Sequence, residues 1–357
     1  MLIFEKFGVF ISRFQGYLIR RILKLNGLGS RDTVKLLGGE YSASLHFEVI
    51  RKWPGGEVVK NNFARGLGTE NMIFQDRHLI FAEKIFADTL TGVLFTQSRR
   101  IIEESSAWPK DFLRASGFPR PRILVSPIQN SSNSKIIPSS GFYHWLIEDL
   151  PSFITALEYD GISKILVYRE TPSYVLDFLS GLGKEFLFVP RYVSVDSTVF
   201  LSKGSSSGWP DKRDIEILRN YFKPLIQKRI PEKKIYISRR FSSRSPEFEE
   251  ALEDALKSKG WQILFAERIK LEDQISIFST AEVICGVGGA GLTSIIWTET
   301  GTKMIELSPE WYSPCFSRLC AAIEMDYECI FFEEPKLDLD SILNKIDEAV
   351  KNKKAQI

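Results

Sequence analysis

The chain is poor in the residues that build metal centres and cross-links. Its 357 residues hold only three histidines and four cysteines. His46, His78 and His144 stand far apart, with no H-x-x-H or H-E-x-x-H pair, so no zinc site built from the chain's own ligands is expected. Cys285, Cys315, Cys320 and Cys329 show neither C-x-x-C spacing nor a disulfide framework, which suits reduced thiols in a cytoplasmic protein. Net charge is scarce too. Lys and Arg number 47 against 45 Asp and Glu, a balance of +2 that creates no strong field for nucleic acid. No apolar run reaches the roughly 18 residues that a membrane span needs. What remains, 44% hydrophobic and 26% charged residues, excludes a disordered or collagen-like chain. The length predicts two domains of about 150 residues or one large α/β unit.

The N-terminus is the nearest thing to a targeting segment. Leu2, Ile3, Phe7, Phe10, Ile11, Phe14, Tyr17, Leu18 and Ile22 are interspersed with Lys6, Arg13, Arg20, Arg21 and Lys24. A signal peptide would separate its charges from its apolar core and end in small residues, and this stretch does neither. Two readings stay open: a basic amphipathic helix on an anionic membrane surface, or a helix packing its apolar stripe on the protein.

Residues 1–120 otherwise hold short apolar fragments between turn signals. From residue 122 a β/α alternation sets in. Strands are expected at 122–128, 164–168, 186–189 and 192–201, with helices at 142–159 and 173–182. The stretch 203–211, KGSSSGWPD, reads as an interdomain linker. Further strands are expected at 234–238, 261–266, 283–287, 303–307 and 329–332, separated by helices, and an amphipathic helix at 337–351 closes the chain. Near-continuous apolar strands alternating with helices predict parallel sheets covered on both faces. The expected organisation is α/β, with two Rossmann-like domains: residues 1–205, residues 206–335, and a terminal helix at 336–357.

Gly286-Val287-Gly288-Gly289-Ala290-Gly291 follows one expected strand and opens a helix, with Glu306 twenty residues on. Literally this is G-x-G-x-x-G, whose glycines let backbone N–H groups approach a pyrophosphate. A dinucleotide site places that turn after the first strand of its domain. Here several βα units precede it, so an NAD-dependent oxidoreductase is the lesser reading and a site for one diphosphate and a ribose the better one. A glycine turn that merely permits tight packing is the plain alternative. Ser238, Arg239, Arg240 and Arg244 follow the first strand of the same half, where ligands of open α/β sheets bind, and their guanidinium forks suit phosphate. The alternative is a solvated cluster paired with Glu247, Glu249 and Glu250.

Gly141-Phe142-Tyr143-His144-Trp145-Leu146-Ile147-Glu148-Asp149-Leu150-Pro151 puts His144 and Glu148 on one helix face and Asp149 on the next. A carboxylate in a cleft can deprotonate a hydroxyl, with an imidazole to orient or assist it. Pro151 predicts a kink or break.

This last stretch resembles the N-Y-x-H-W-x-x-D/E-x-L-P motif of glycosyltransferase family 61. Tyr236-Ile237-Ser238-Arg239, Glu267 with Gln274, Gly286–Ser294 and Ile305-Glu306-Leu307 resemble that family's Y-I-S-R, E-x-L…Q, G-x-H-G-A-G-L-T-N and I-E-L segments, in the same order, over about residues 120–330. The resemblance implies a GT-B fold, two Rossmann-like domains facing a cleft. It implies inverting transfer of a sugar from a nucleotide diphosphate-sugar, UDP-linked by expectation, to a glycan or glycolipid hydroxyl. No cofactor or metal is expected, the nucleotide-sugar being a co-substrate. Glu148, His144 and Asp149 would be catalytic. Ser238, Arg239, Arg240, Arg244, Gln274, Gly288, Gly289, Ala290, Gly291, Leu292, Thr293 and Glu306 would bind the donor. Bacterial members linked to capsule and surface polysaccharide work at the cytoplasmic face of the membrane, and the same placement is expected here. Three positions depart from the pattern: Gly288 stands where the family has His, Ser294 where it has Asn, and Gly141 where it has Asn. Losing the histidine leaves a non-catalytic nucleotide- or glycan-binding relative as the rival reading.

Overall fold

The computed structural model describes residues 33–37, 47–56, 58–61, 70–107, 125–138, 141–159, 161–226, 232–309, 314–332 and 338–352. The basic N-terminal segment and residues 122–124 of the first strand expected after residue 120 lie outside them.

The first sheet is built from β1 (Thr33–Val34), β2 (Phe47–Trp53), β5 (Arg77–Asp88), β6 (Leu94–Phe95), β7 (Ile101–Ile102), β8 (Ser126–Pro127), β9 (Ser134–Ile137), β10 (Lys164–Tyr168), β11 (Phe186–Val189) and β12 (Tyr192–Leu201); β3 (Val58–Asn61) and β4 (Glu70–Ile73) pair separately. Its backbone order is β1-β7-β6-β5-β12-β9-β10-β11. β12 and β5 pair antiparallel, while β9, β10 and β11 are parallel. This half is therefore a mixed sheet, with a Rossmann-like run of parallel strands only at one end. The antiparallel part comes from long strands such as Arg77–Asp88, whose buried positions include Leu79, Ile80, Ala82, Ile85 and Ala87.

The second sheet is wholly parallel. β13 (Lys233–Ile237), β14 (Gln262–Leu264), β15 (Ala281–Val287), β16 (Lys303–Pro309) and β17 (Asp326–Phe332) lie in the order β14-β13-β15-β16-β17. In this half that is the order 2-1-3-4-5 of a doubly wound sheet, so the chain reverses direction across the sheet between β13 and β15. β15 and β16 are buried along nearly their whole length, as strands of a sheet covered on both faces require, while the edge strand β17 alternates between buried and half-exposed positions.

Seven helices matter for packing. α1 starts as Phe142–His144, widens into a π turn at Trp145–Asp149 and continues as Leu150–Leu157. α2 is Ser173–Gly181, α3 Lys212–Tyr221, α4 Glu249–Ser258, α5 Leu271–Phe278, α6 Cys315–Ala322 and α7 Leu339–Lys351. Asp211 caps α3 by accepting from the Arg213 N–H at 3.0 Å. One apolar core runs through both halves: Phe153, Ile165 and Phe178 share it with Phe222, Ile284 and Trp297. The first turn of α1 packs against a 3₁₀ turn at Ala290–Trp297. Tyr143 reaches α6, its hydroxyl donating to Cys315 O at 3.5 Å and its ring meeting Phe316 edge-on. Among the described residues, no helix is long and apolar enough to cross a membrane.

Candidate functional site

Pro151 explains the shape of α1. Proline has no N–H to offer the carbonyl one turn earlier, and its ring crowds that carbonyl. The helix does not break there. It widens over Trp145–Asp149, with the Leu150 N–H reaching back to Trp145 O. Such π turns recur at functional sites because they re-aim side chains within a continuous helix. The carbonyl of Glu148 accepts from Lys203 Nζ at 2.5 Å and from the Ser152 hydroxyl at 3.4 Å.

Glu148 is buried, at 8% exposure, at the junction of the two halves. Its Oε1 lies 3.1 Å from His144 Nδ1, and accepts from Ser207 Oγ at 2.9 Å and from the Gly208 N–H at 2.8 Å. Burial pushes the carboxyl up, but the His144 bond and charge, then the Gly208 N–H, outweigh it and leave the group below its ordinary value. His144 is more open, with 32% of its side chain exposed. Burial disfavours its charged form, yet the hydrogen bond and charge of Glu148 raise it above the ordinary imidazole value. Asp149 turns to the other side and pairs with Lys203 Nζ at 3.0 Å. The stretch 203–211, expected as a linker, thus supplies Lys203, Ser207 and Gly208 to this cluster. Gly208 has φ +81°, a conformation that favours glycine. The guanidinium of Arg318, on α6, stacks 4.3 Å from the Trp209 ring centre and ties the loop to the second half.

The other cluster lies where β13 and β15 end, at the reversal point of the second sheet. The Arg239 backbone N–H donates to Glu249 Oε1 at 2.6 Å, its guanidinium donates to Gly288 O, and Nη2 donates to Ser242 Oγ at 3.2 Å. Burial, then the charge of Arg244, lowers its pKa. Arg244 is exposed, and only its backbone N–H makes a bond, to Ser242 Oγ at 3.2 Å. A Cβ on Gly289 would sit 3.1 Å from the Arg239 guanidinium carbon, and one on Gly291 3.1 Å from Ile237 Cγ2. These glycines are therefore needed for close packing as well as for backbone approach. The first N–H groups of the turn that starts at Ala290 have no intrahelical acceptor.

The remaining expected donor residues sort differently. Arg240 is paired with Glu253, Nη2 to Oε2 at 2.6 Å, and with Glu250 at 3.3 Å. Ser238 donates to Glu253 Oε1 at 2.6 Å. Gln274 is buried and bridges Ala266 O, Ile269 O and the Ser294 hydroxyl, which holds the glycine turn against α5. Leu292 is in the core, and Thr293 Oγ1 donates to Ala290 O at 2.6 Å. The Gly288 N–H donates to Leu307 O at 3.0 Å and so belongs to the sheet edge. Glu306 lies beneath Gly288: a Cβ there would come within 2.8 Å of its Oε1. Its Oε2 accepts from Tyr327 at 2.6 Å, and burial pushes the carboxyl up to about 7. Ser207, Gly208, Lys203 and Lys135 were absent from the sequence expectation, and only glycine-rich composition marked three of them. Among the described residues, no three His, Cys, Asp or Glu side chains come together as a metal cluster.

The helix with the carboxylate–imidazole pair thus packs on the second half, whose sheet edge carries Arg239 and the glycine turn, an arrangement suited to a group-transfer enzyme. The family model described as Glycosyltransferase 61 matches residues 142–305, from the start of α1 into β16. Over that span the chain is similar to glycosyltransferase family 61. No curated protein matches the chain.

Proposed function

We propose that the protein transfers a sugar, with inversion, from a nucleotide diphosphate-sugar to a glycan hydroxyl, the two halves forming a GT-B-type cleft. The observation that carries this reading is the packing of the His144 turn of α1 against the glycine turn at Ala290–Trp297. It brings a proton-accepting pair close to a diphosphate-binding edge. His144 and Glu148 act as a unit: the acceptor hydroxyl gives its proton to the more exposed imidazole, and the buried carboxylate orients the ring and balances its charge. The acceptor oxygen attacks the anomeric carbon as the bond to the diphosphate oxygen breaks, and that oxygen leaves with the electron pair. Arg239, Arg244 and the N–H groups of the glycine turn stabilise the departing charge in place of a metal.

A UDP-linked donor and an acceptor of bacterial surface polysaccharide remain the preferred substrates. The support is the family resemblance. The basic, apolar N-terminal segment supports peripheral attachment at the cytoplasmic face of the membrane. The test is a panel of nucleotide sugars, including UDP-, GDP- and CMP-linked ones, scored for donor hydrolysis and transfer in EDTA, with product anomers read by NMR. Transfer with inverted configuration is expected. A panel that yields binding but neither hydrolysis nor transfer would favour the non-catalytic relative.

A further inference from the structure

Behind the His144–Glu148 pair lies a polar cluster that sugar transfer does not use. Lys135 occupies the middle of β9, where all four residues are buried, and is itself only 5% exposed. Among the described residues its ammonium group has no hydrogen bond or ion pair; the charge of Asp149 acts on it only from a distance. It lies on a cavity with room of about 40 Å³, enough for a few waters or an ion of three or four atoms. Lys203, Asp149, Ser152, Ser105, Thr91 and Thr198 are among the other lining residues.

The charged side chains that line this cavity do not balance. Lys135 and Lys203 bring two positive charges, and Asp149 brings one negative charge, already engaged by Lys203. Behind Ser152, Arg77 and Asp214 neutralise each other. Glu104, next to the lining Ser105 but not itself on the cavity, keeps its negative charge with one oxygen on the Leu37 N–H; Asp88, beneath Thr91, is paired with Arg191, and Glu148 with His144. The hydroxyls of Ser105, Thr91 and Thr198 donate to Ile102 O, Asp88 and Ser134 O, so they do not compensate the excess. A buried ammonium without a counter-charge is costly. In keeping with that, burial and then the charge of Lys203 bring Lys135 down to about 7.

We propose that this cavity binds one small monovalent anion, a halide or a carboxylate of formate size, held by Lys135 beside the Lys203 ammonium group. The anion supplies the missing negative charge, and above neutral pH its binding takes up one proton on Lys135. Lys203 also holds the Glu148 carbonyl and Asp149, so occupancy steadies the widened turn beneath the catalytic pair. The site stands apart from the transfer reading and needs no sugar substrate for its test.

The full chain is melted at pH 6.5 in sodium gluconate, an anion too large for the cavity, with chloride or formate replacing it stepwise at constant ionic strength. With at least one of the two anions Tm is expected to rise as the logarithm of one plus its concentration over Kd, since a ligand that prefers the folded state stabilises it. The rise is lost in Lys135→Met. In the wild type, which needs no variant to fold, the Kd obtained from that dependence rises about eightfold from pH 7.5 to 8.5, because the site must be protonated to bind. No rise with either anion, the same rise in Lys135→Met, or an affinity unchanged over that pH step would overturn the proposal.

Discussion

The Gly208 N–H donates to Glu148 Oε1 at 2.8 Å, joining positions sixty residues apart. This bond makes a glycine- and serine-rich loop part of the His144–Glu148 cluster. It also requires the backbone of Gly208 to stay at φ +81°.

Gly208→Ala is therefore expected to lower stability by about 1–2 kcal/mol, the penalty for an L side chain in the left-handed region. Urea unfolding measures it. Turnover falls as well, because Glu148 loses a main-chain donor. A variant as stable and as active as the wild type would detach the loop from the site.

The pH profile tests the pair directly. His144 has a raised folded-state pKa, so its stabilising contribution is complete below the unfolded value and is lost as pH rises through the folded one. Glu148 is lowered, so its contribution holds above the unfolded value and is lost as pH falls through the folded one. As a base, His144 must be neutral, so kcat/KM climbs with pH through a group titrating above the ordinary imidazole value. In Glu148→Gln that limb moves to lower pH, since the imidazolium loses its anionic partner. A limb that stays in place assigns the titration to another group.

Among the described residues Arg244 makes no side-chain hydrogen bond, so its replacement is expected to leave the fold intact. Arg244→Ala is expected to weaken binding of a nucleotide diphosphate by about 1.5–3 kcal/mol, the worth of a charge-assisted hydrogen bond, with an unchanged Tm. Calorimetry checks the affinity. Equal affinities in variant and wild type would remove Arg244 from the donor edge.

The structural pair beneath the site predicts the opposite pattern. Arg77 is 3% exposed and is ion-paired with buried Asp214, which joins β5 to α3. Removing one partner of a buried pair strands the other charge. Arg77→Met should therefore cost about 3–5 kcal/mol in chemical unfolding. A loss below 1 kcal/mol would mean that Asp214 is neutral when its partner is gone.

Local pattern was legible wherever one residue type ran through an element. Lys164–Tyr168 and Phe186–Val189 are apolar strands flanked by turn residues, and both have the bounds the sequence implies. β9 escaped notice because Lys135 interrupts its apolar run after a stretch of Ser and Asn. Pro151 pointed to a kink; the helix instead widens over Trp145–Asp149, and the Lys203 bond to the Glu148 carbonyl in that turn is a long-range contact that local pattern does not reveal. The placement of Ser207 and Gly208 on Glu148 was illegible for the same reason: composition marks a flexible segment but not what it folds against. Arg240 was read as a phosphate ligand from its strand-end position. Its pairing with Glu253 depends on how α4 packs, and the nearer candidates Glu247 and Glu249 make no ion pair with it.

The most direct measurement is the turnover of Glu148→Gln with the best donor found, beside its affinity for that donor. The account predicts a kcat lower by about 10²–10⁴-fold with affinity within a factor of two, because the proton-accepting pair is disabled while the arginine edge is intact. Turnover close to the wild type would contradict it.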